Sequence, residues 1–117
     1  MSLQAYQKTL QTTETTRNTE YRLFAQITSE LMEARDLART DGRVANALHR
    51  NKELWGILMT DCASENNGLP EALRAQVMSV AIWVNRHSSS VLRESAAIDP
   101  LITVNRTIME GLLQSAE

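Results

Sequence analysis

Apolar residues along this chain fall into stripes at spacings of three and four, so the pattern predicts helices throughout. Leu3, Tyr6 and Leu10 form a short first stripe over residues 2–11. A tract without apolar residues, Thr12 to Thr19, follows; its hydroxyls compete for backbone hydrogen bonds, so it reads as a connector. The second helix is expected from residues 16–19 to about Arg39, on Phe24, Ile27, Leu31, Ala34 and Ala38, with Leu23 widening the stripe. Glu20 in its first turn and Arg35 and Arg39 in its last complement the helix dipole. Thr40-Asp41-Gly42 ends it and caps the third helix, about 43–64, whose stripe is Val44, Leu48, Trp55, Leu58 and Cys62, with Ala47 and Leu54 alongside.

Gly68 and Pro70 then separate the third helix from a fourth, about 70–94, with Leu73, Val77, Val80, Val84, His87 and Val91 on one face. The run from Val77 to Val84 is apolar almost all round, which predicts the central and most buried helix. Asp99 as N-cap and Pro100 at the first helical position start a fifth helix, running to about Gln114 on Leu101, Val104, Ile108 and Leu112. The fold class expected is all-α: one bundle of four main helices (16–117) preceded by a short N-terminal helix and threonine-rich connector (1–15). A length of 117 residues suits a single domain with one core.

Composition sharpens this picture. Only 4 Gly and 2 Pro leave too little turn punctuation for a sheet protein, while strong helix formers fill about half the chain. A net charge of −2 gives no basic excess to draw a phosphate backbone, and only five aromatic residues are available for stacking on bases, so nucleic-acid binding is disfavoured. One cysteine, Cys62, allows no internal disulfide. The N-terminus has no basic patch before an apolar run and no stretch reaches 18 apolar residues, so a cytoplasmic chain without membrane insertion is expected.

Candidate chemistry is sparse. His49 and His87 fall on different helices, and no Cys-x-x-Cys, His-x-x-x-His or Glu-x-x-His spacing occurs, so no metal or cofactor is expected and no catalytic residue is assigned. Cys62 reads as a small core residue beside Asp61, which raises a thiol pKa rather than lowering it. Ser88, Ser89 and Ser90 read as local packing. Asn51 and Asn105 each interrupt an apolar face, as expected of buried amides that fix helix register. Trp55 and Trp83 read as core anchors first and partner contacts second. Leu3, Tyr6 and Leu10 form an amphipathic helix that docks on its own bundle or gives way to a partner helix.

Beyond these features, the chain resembles the FlaF family of flagellar biosynthesis regulators, found in alphaproteobacteria. The stretches that carry the resemblance are QAYQKT near the start, TEYRLFAQIT at 19–28 and NKELWGILMTDCA at 51–63. NGLPEALRAQVMSVAIWVNRHSSSVL at 67–92 and IDPLITVNRTIMEGL at 98–112 complete it, in order along the chain. The polar TTETT linker is one departure, where relatives are expected to place a proline. The resemblance implies a small helical, non-enzymatic protein that supports flagellin synthesis and export, opposite a second regulator, FlbT, that restrains flagellin translation. Flagellin is the partner it implies first. An adaptor to FlbT and a direct RNA-binding regulator of flagellin messenger RNA are the alternatives. Oligomeric state is left open.

Overall fold

The computed structural model describes residues 20–63 and 70–115. The expected N-terminal helix and its connector lie outside the described residues. Four helices are present: α1 over 20–35, α2 Gly42–Ala63, α3 Glu71–Glu94 and α4 Asp99–Ser115, with no strand among the described residues.

Each helix buries the side its sequence marks as apolar. On α1 these are Phe24, Ile27, Leu31 and Ala34, and on α2 Val44, Ala47, Leu48, Leu54, Trp55 and Cys62. On α4 they are Leu101 and Ile102, continued from Ile98 just before it. Long-range side-chain contacts fix the arrangement. Arg50 of α2 donates to Glu30 of α1, and the Phe24 ring meets Trp55 edge-on at 5.9 Å between centroids. These two pairs run α1 and α2 in opposite directions. Arg35 donates to Asp99 Oδ1 at 3.0 Å, and Arg106 reaches Met32 Sδ at 3.4 Å, which sets α4 antiparallel to α1. With α3 packed along α2 and in contact with α4, the chain forms an up-down-up-down bundle.

Two expectations need correction. The periodicity predicts a second helix reaching about Arg39, but α1 stops at 35, and a turn follows with Leu37 N–H donating to the Ala34 carbonyl at 3.1 Å. Ala38, expected on the buried stripe, is exposed, and Leu37 packs against the core instead. The cause is tertiary: Arg39 turns away to donate to the Ala96 carbonyl at 3.2 Å, across to the α3–α4 connection.

The second correction concerns α3, which is not the most buried helix. It buries Val77, Ala81, Val84, Ser88 and Val91, at strictly alternating steps of four and three. That is a narrow seam of two residues per heptad, not an apolar helix covered on all sides. Met78 and Val80 are half-buried against the core, while Ile82 and Leu92 face outward, 50% and 49% exposed.

Helix ends follow local chemistry. Asp41 Oδ1 accepts the backbone N–H of Arg43 at 2.9 Å, and the Arg43 guanidinium folds back on both oxygens, so one carboxylate caps α2 and holds its own counter-ion. These bonds lower the Asp41 pKa from 3.8 to about 2, the Arg43 side chain first and its backbone N–H second. At the far end of α3, Ser95 takes a left-handed conformation (φ 58°), and Ala96 N–H closes onto the Ser90 carbonyl at 3.3 Å. A side chain is strained there and glycine is not.

Two outcomes follow. Ser95→Gly raises stability by roughly 0.5–1 kcal/mol, read as a higher urea midpoint at unchanged slope. Because the folded pKa of Asp41 is depressed, its contribution is present above the ordinary carboxylate range and lost as pH falls through about 2. A carbon-13 titration of the Asp41 carboxyl places its midpoint near 2, and a midpoint near 4 overturns the cap assignment.

Candidate functional site

The bundle centre holds four polar groups in contact. Asn105 of α4 is fully buried, and its side-chain amide is satisfied on both sides. Its Oδ1 accepts the indole N–H of Trp55 at 2.8 Å, and its Nδ2 donates to Asn51 Oδ1 at 2.8 Å and to Thr28 Oγ1 at 3.1 Å. Thr28 Oγ1 in turn lies 4.0 Å from Met109 Sδ as a donor. One residue on α4 thus ties α1 and α2 together. Asn51 Nδ2 is buried and meets no acceptor among the described residues.

The residues singled out from the sequence divide accordingly. Asn51 and Asn105 meet at the centre, where each has 0% exposure. Trp55 joins them and is 1% exposed, a core anchor that also forms part of the floor of a groove between α2 and α3. Trp83, first read as a core anchor, is 37% exposed; its ring stacks on His87 at 4.9 Å between centroids, with 19° between the planes. His87 Nε2 donates to the Ala97 carbonyl at 2.6 Å, which ties the end of α3 to the α3–α4 connection. Leu3, Tyr6 and Leu10 lie outside the described residues. The two tryptophans are therefore not brought together as one surface.

Thr28 is the residue sequence reasoning missed. It lies one turn after Phe24 and one residue after Ile27, on the buried face, and that placement was the available signal.

The three consecutive serines of α3 are locally occupied. Ser88, Ser89 and Ser90 donate back to the carbonyls of Val84, Asn85 and Arg86, one turn earlier, which consumes their hydroxyls within the helix. Cys62 is buried, and its pKa is raised, by desolvation first and by the neighbouring Asp61 second. A buried thiol held in its protonated form is a poor nucleophile and packs as a small core residue. No cluster of three metal-capable side chains occurs among the described residues.

What the surface does offer is apolar. Gly56 of α2 has open space where a side chain would stand. A groove of about 220 Å³ lies over it between α2 and α3, with Met59, Ala81 and Ile82 in its wall and Lys52 and Arg86 in its lining. Beyond Gly56 the surface carries Ile57, 58% exposed, and turns acidic at Glu53 and Asp61. No described helix is long and apolar enough to cross a membrane.

Fold and surface together define a small all-helical bundle protein with a polar knot at its centre and apolar side chains left open along α2 and α3. Its residues 2–112 match the family model described as flagellar protein FlaF, and the chain belongs to that family. No curated protein and no solved structure matches it significantly.

The central knot makes a direct prediction. Asn105→Ala strands the indole N–H of Trp55 and the Asn51 amide in the core, and costs about 2–4 kcal/mol in chemical denaturation. In a double-mutant cycle Asn51 and Asn105 couple, so the double variant costs less than the sum of the single ones.

Proposed function

We propose that this chain is a flagellar biosynthesis regulator that supports flagellin synthesis and export by binding flagellin as a chaperone or adaptor. Membership in the FlaF family supports the flagellar context. The observation that carries the binding step is the apolar surface of α2 and α3, where Ile57, Met59 and Ile82 remain exposed although the bundle core is already filled.

Flagellin's terminal segments are amphipathic helices that stay unpaired until the filament assembles. A bundle that covers such an apolar stripe keeps it from aggregating or polymerising early. In this role the protein is a binding partner rather than an enzyme, which suits a buried, protonated Cys62 and serine hydroxyls consumed within their own helix. The cytoplasm is where flagellin is made and held before export, and is the compartment this reading requires.

Calorimetric titration of the purified protein with monomeric flagellin from its own cell tests the reading. The expected result is one-to-one binding in the low-micromolar range or tighter, with a negative heat-capacity change from apolar burial. Absence of heat at several temperatures, with both proteins folded, overturns it. Stable co-purification with FlbT from cells lacking flagellin then marks an adaptor, and salt-steep binding to a flagellin leader transcript marks an RNA-binding regulator.

A further inference from the structure

The groove between α2 and α3 has a charge pattern as well as an apolar wall. Its lining carries two charged residues, Lys52 and Arg86, and both are cations. Neither takes part in an ion pair among the described residues, whereas Arg35, Arg43 and Arg50 each hold a carboxylate. Because consecutive helices joined by a short connection run antiparallel, Lys52 and Arg86 fall toward one end of the groove. Met59, Ala81 and Ile82 fall toward the other. From position 52 to position 59 the rise along α2 is about 10 Å, two helical turns.

We infer that this groove docks an amphipathic helix of a partner protein, with an apolar side chain seated against Met59 and Ile82 over Gly56. A carboxylate about two turns away pairs with Lys52 and Arg86. The inference deepens the binding role proposed above and rests on it for the kind of partner.

Charge selects among the possible occupants. The chain's own residues 1–11 bear one charged side chain, Lys8, and it is a cation, so that stripe has no carboxylate to offer the basic end. A second copy would have to seat its own groove or the acidic rim at Glu53 and Asp61, and Glu53 is already paired with His49 at 3.0 Å. An acidic helix from a partner leaves neither cation unmatched. Gly56 gives that helix its close approach, because any side chain there would stand in the groove.

The test uses the full chain and two synthetic amphipathic helical peptides, one with glutamates two turns from its leucines, the other with lysines in their place. Binding is followed by methyl NMR of Met59 and Ile82. The expected result is that the glutamate peptide binds and shifts both methyl groups, while the lysine peptide does not. Lys52→Glu combined with Arg86→Glu, both at exposed positions, weakens the glutamate peptide roughly tenfold or more and lets the lysine peptide bind.

Equal affinity for the two peptides overturns the inference, as do shifts confined to other helices. Methyl shifts on Leu3→Asp with Leu10→Asp, without peptide, assign the groove to the chain's own N-terminal segment and also overturn it. So do shifts that grow with protein concentration, which mark a second copy. Flagellin titrated against the same charge-reversed variant separates the two proposals. If flagellin binds the native chain and the variant alike while the glutamate peptide does not bind, the groove falls and the flagellin reading stands. If the peptide seats in the groove and flagellin does not bind, the reverse holds.

Discussion

The side-chain amide of Asn105 is the point on which the bundle depends. An amide in an apolar interior costs several kcal/mol unless its donors and acceptor are matched. Here the match comes from two other helices: Trp55 and Asn51 of α2, and Thr28 of α1. Apolar packing alone would tolerate small rotations and slides between helices, because dispersion contacts are not directional. Hydrogen bonds of 2.8–3.1 Å tolerate neither. The register of α4 against α1 and α2 is thus set at its middle by polar geometry. At its start the same register is set by Arg35 on Asp99.

Against that fixed centre, α3 is held differently. Its fully buried seam from Val77 to Val91 is narrow, flanked by half-buried Met78 and Val80, and Ser88 within it bonds to its own helix rather than to a neighbour. The stacked pair Trp83 and His87 and the bond from His87 to Ala97 secure its end from outside the core. The division of labour is clear: α1, α2 and α4 share the buried polar contacts, and α3 closes the bundle while leaving much of its apolar surface in solvent.

Most of the helical architecture was legible in the sequence because it is written locally. The Asp41-Gly42 start of α2 needs only capping chemistry and the Pro100 start of α4 only proline's fixed φ, and the apolar stripes need only periodicity. Asp99, expected as the N-cap of α4, is instead its first residue and gives its carboxylate to Arg35. The failures came where a distant residue decided. Arg35 and Arg39 look like dipole complements on a continuing helix, but Asp99 and the Ala96 carbonyl claim them, and α1 ends early. The run from Val77 to Val84 reports how many apolar residues a helix carries, not how many neighbours are present to cover them. Asn51 and Asn105 stood out as polar breaks in apolar stripes, yet periodicity contains nothing about which break faces which. The groove over Gly56 was hidden for the same reason, since it exists only once α2 and α3 lie side by side.

The partners of Asn105 also carry a meaning for the order in which the molecule is completed. Trp55, Asn51 and Thr28 precede it by 50, 54 and 77 residues, and Asn105 lies in the last helix. During synthesis α1, α2 and α3 leave the ribosome before the group that satisfies their inner polar atoms. Closing them into a dry core at that stage would bury an unmatched Trp55 indole N–H and an unmatched Asn51 carbonyl oxygen. Packing α1, α2 and α3 into a dry core is therefore costly until α4 supplies Asn105.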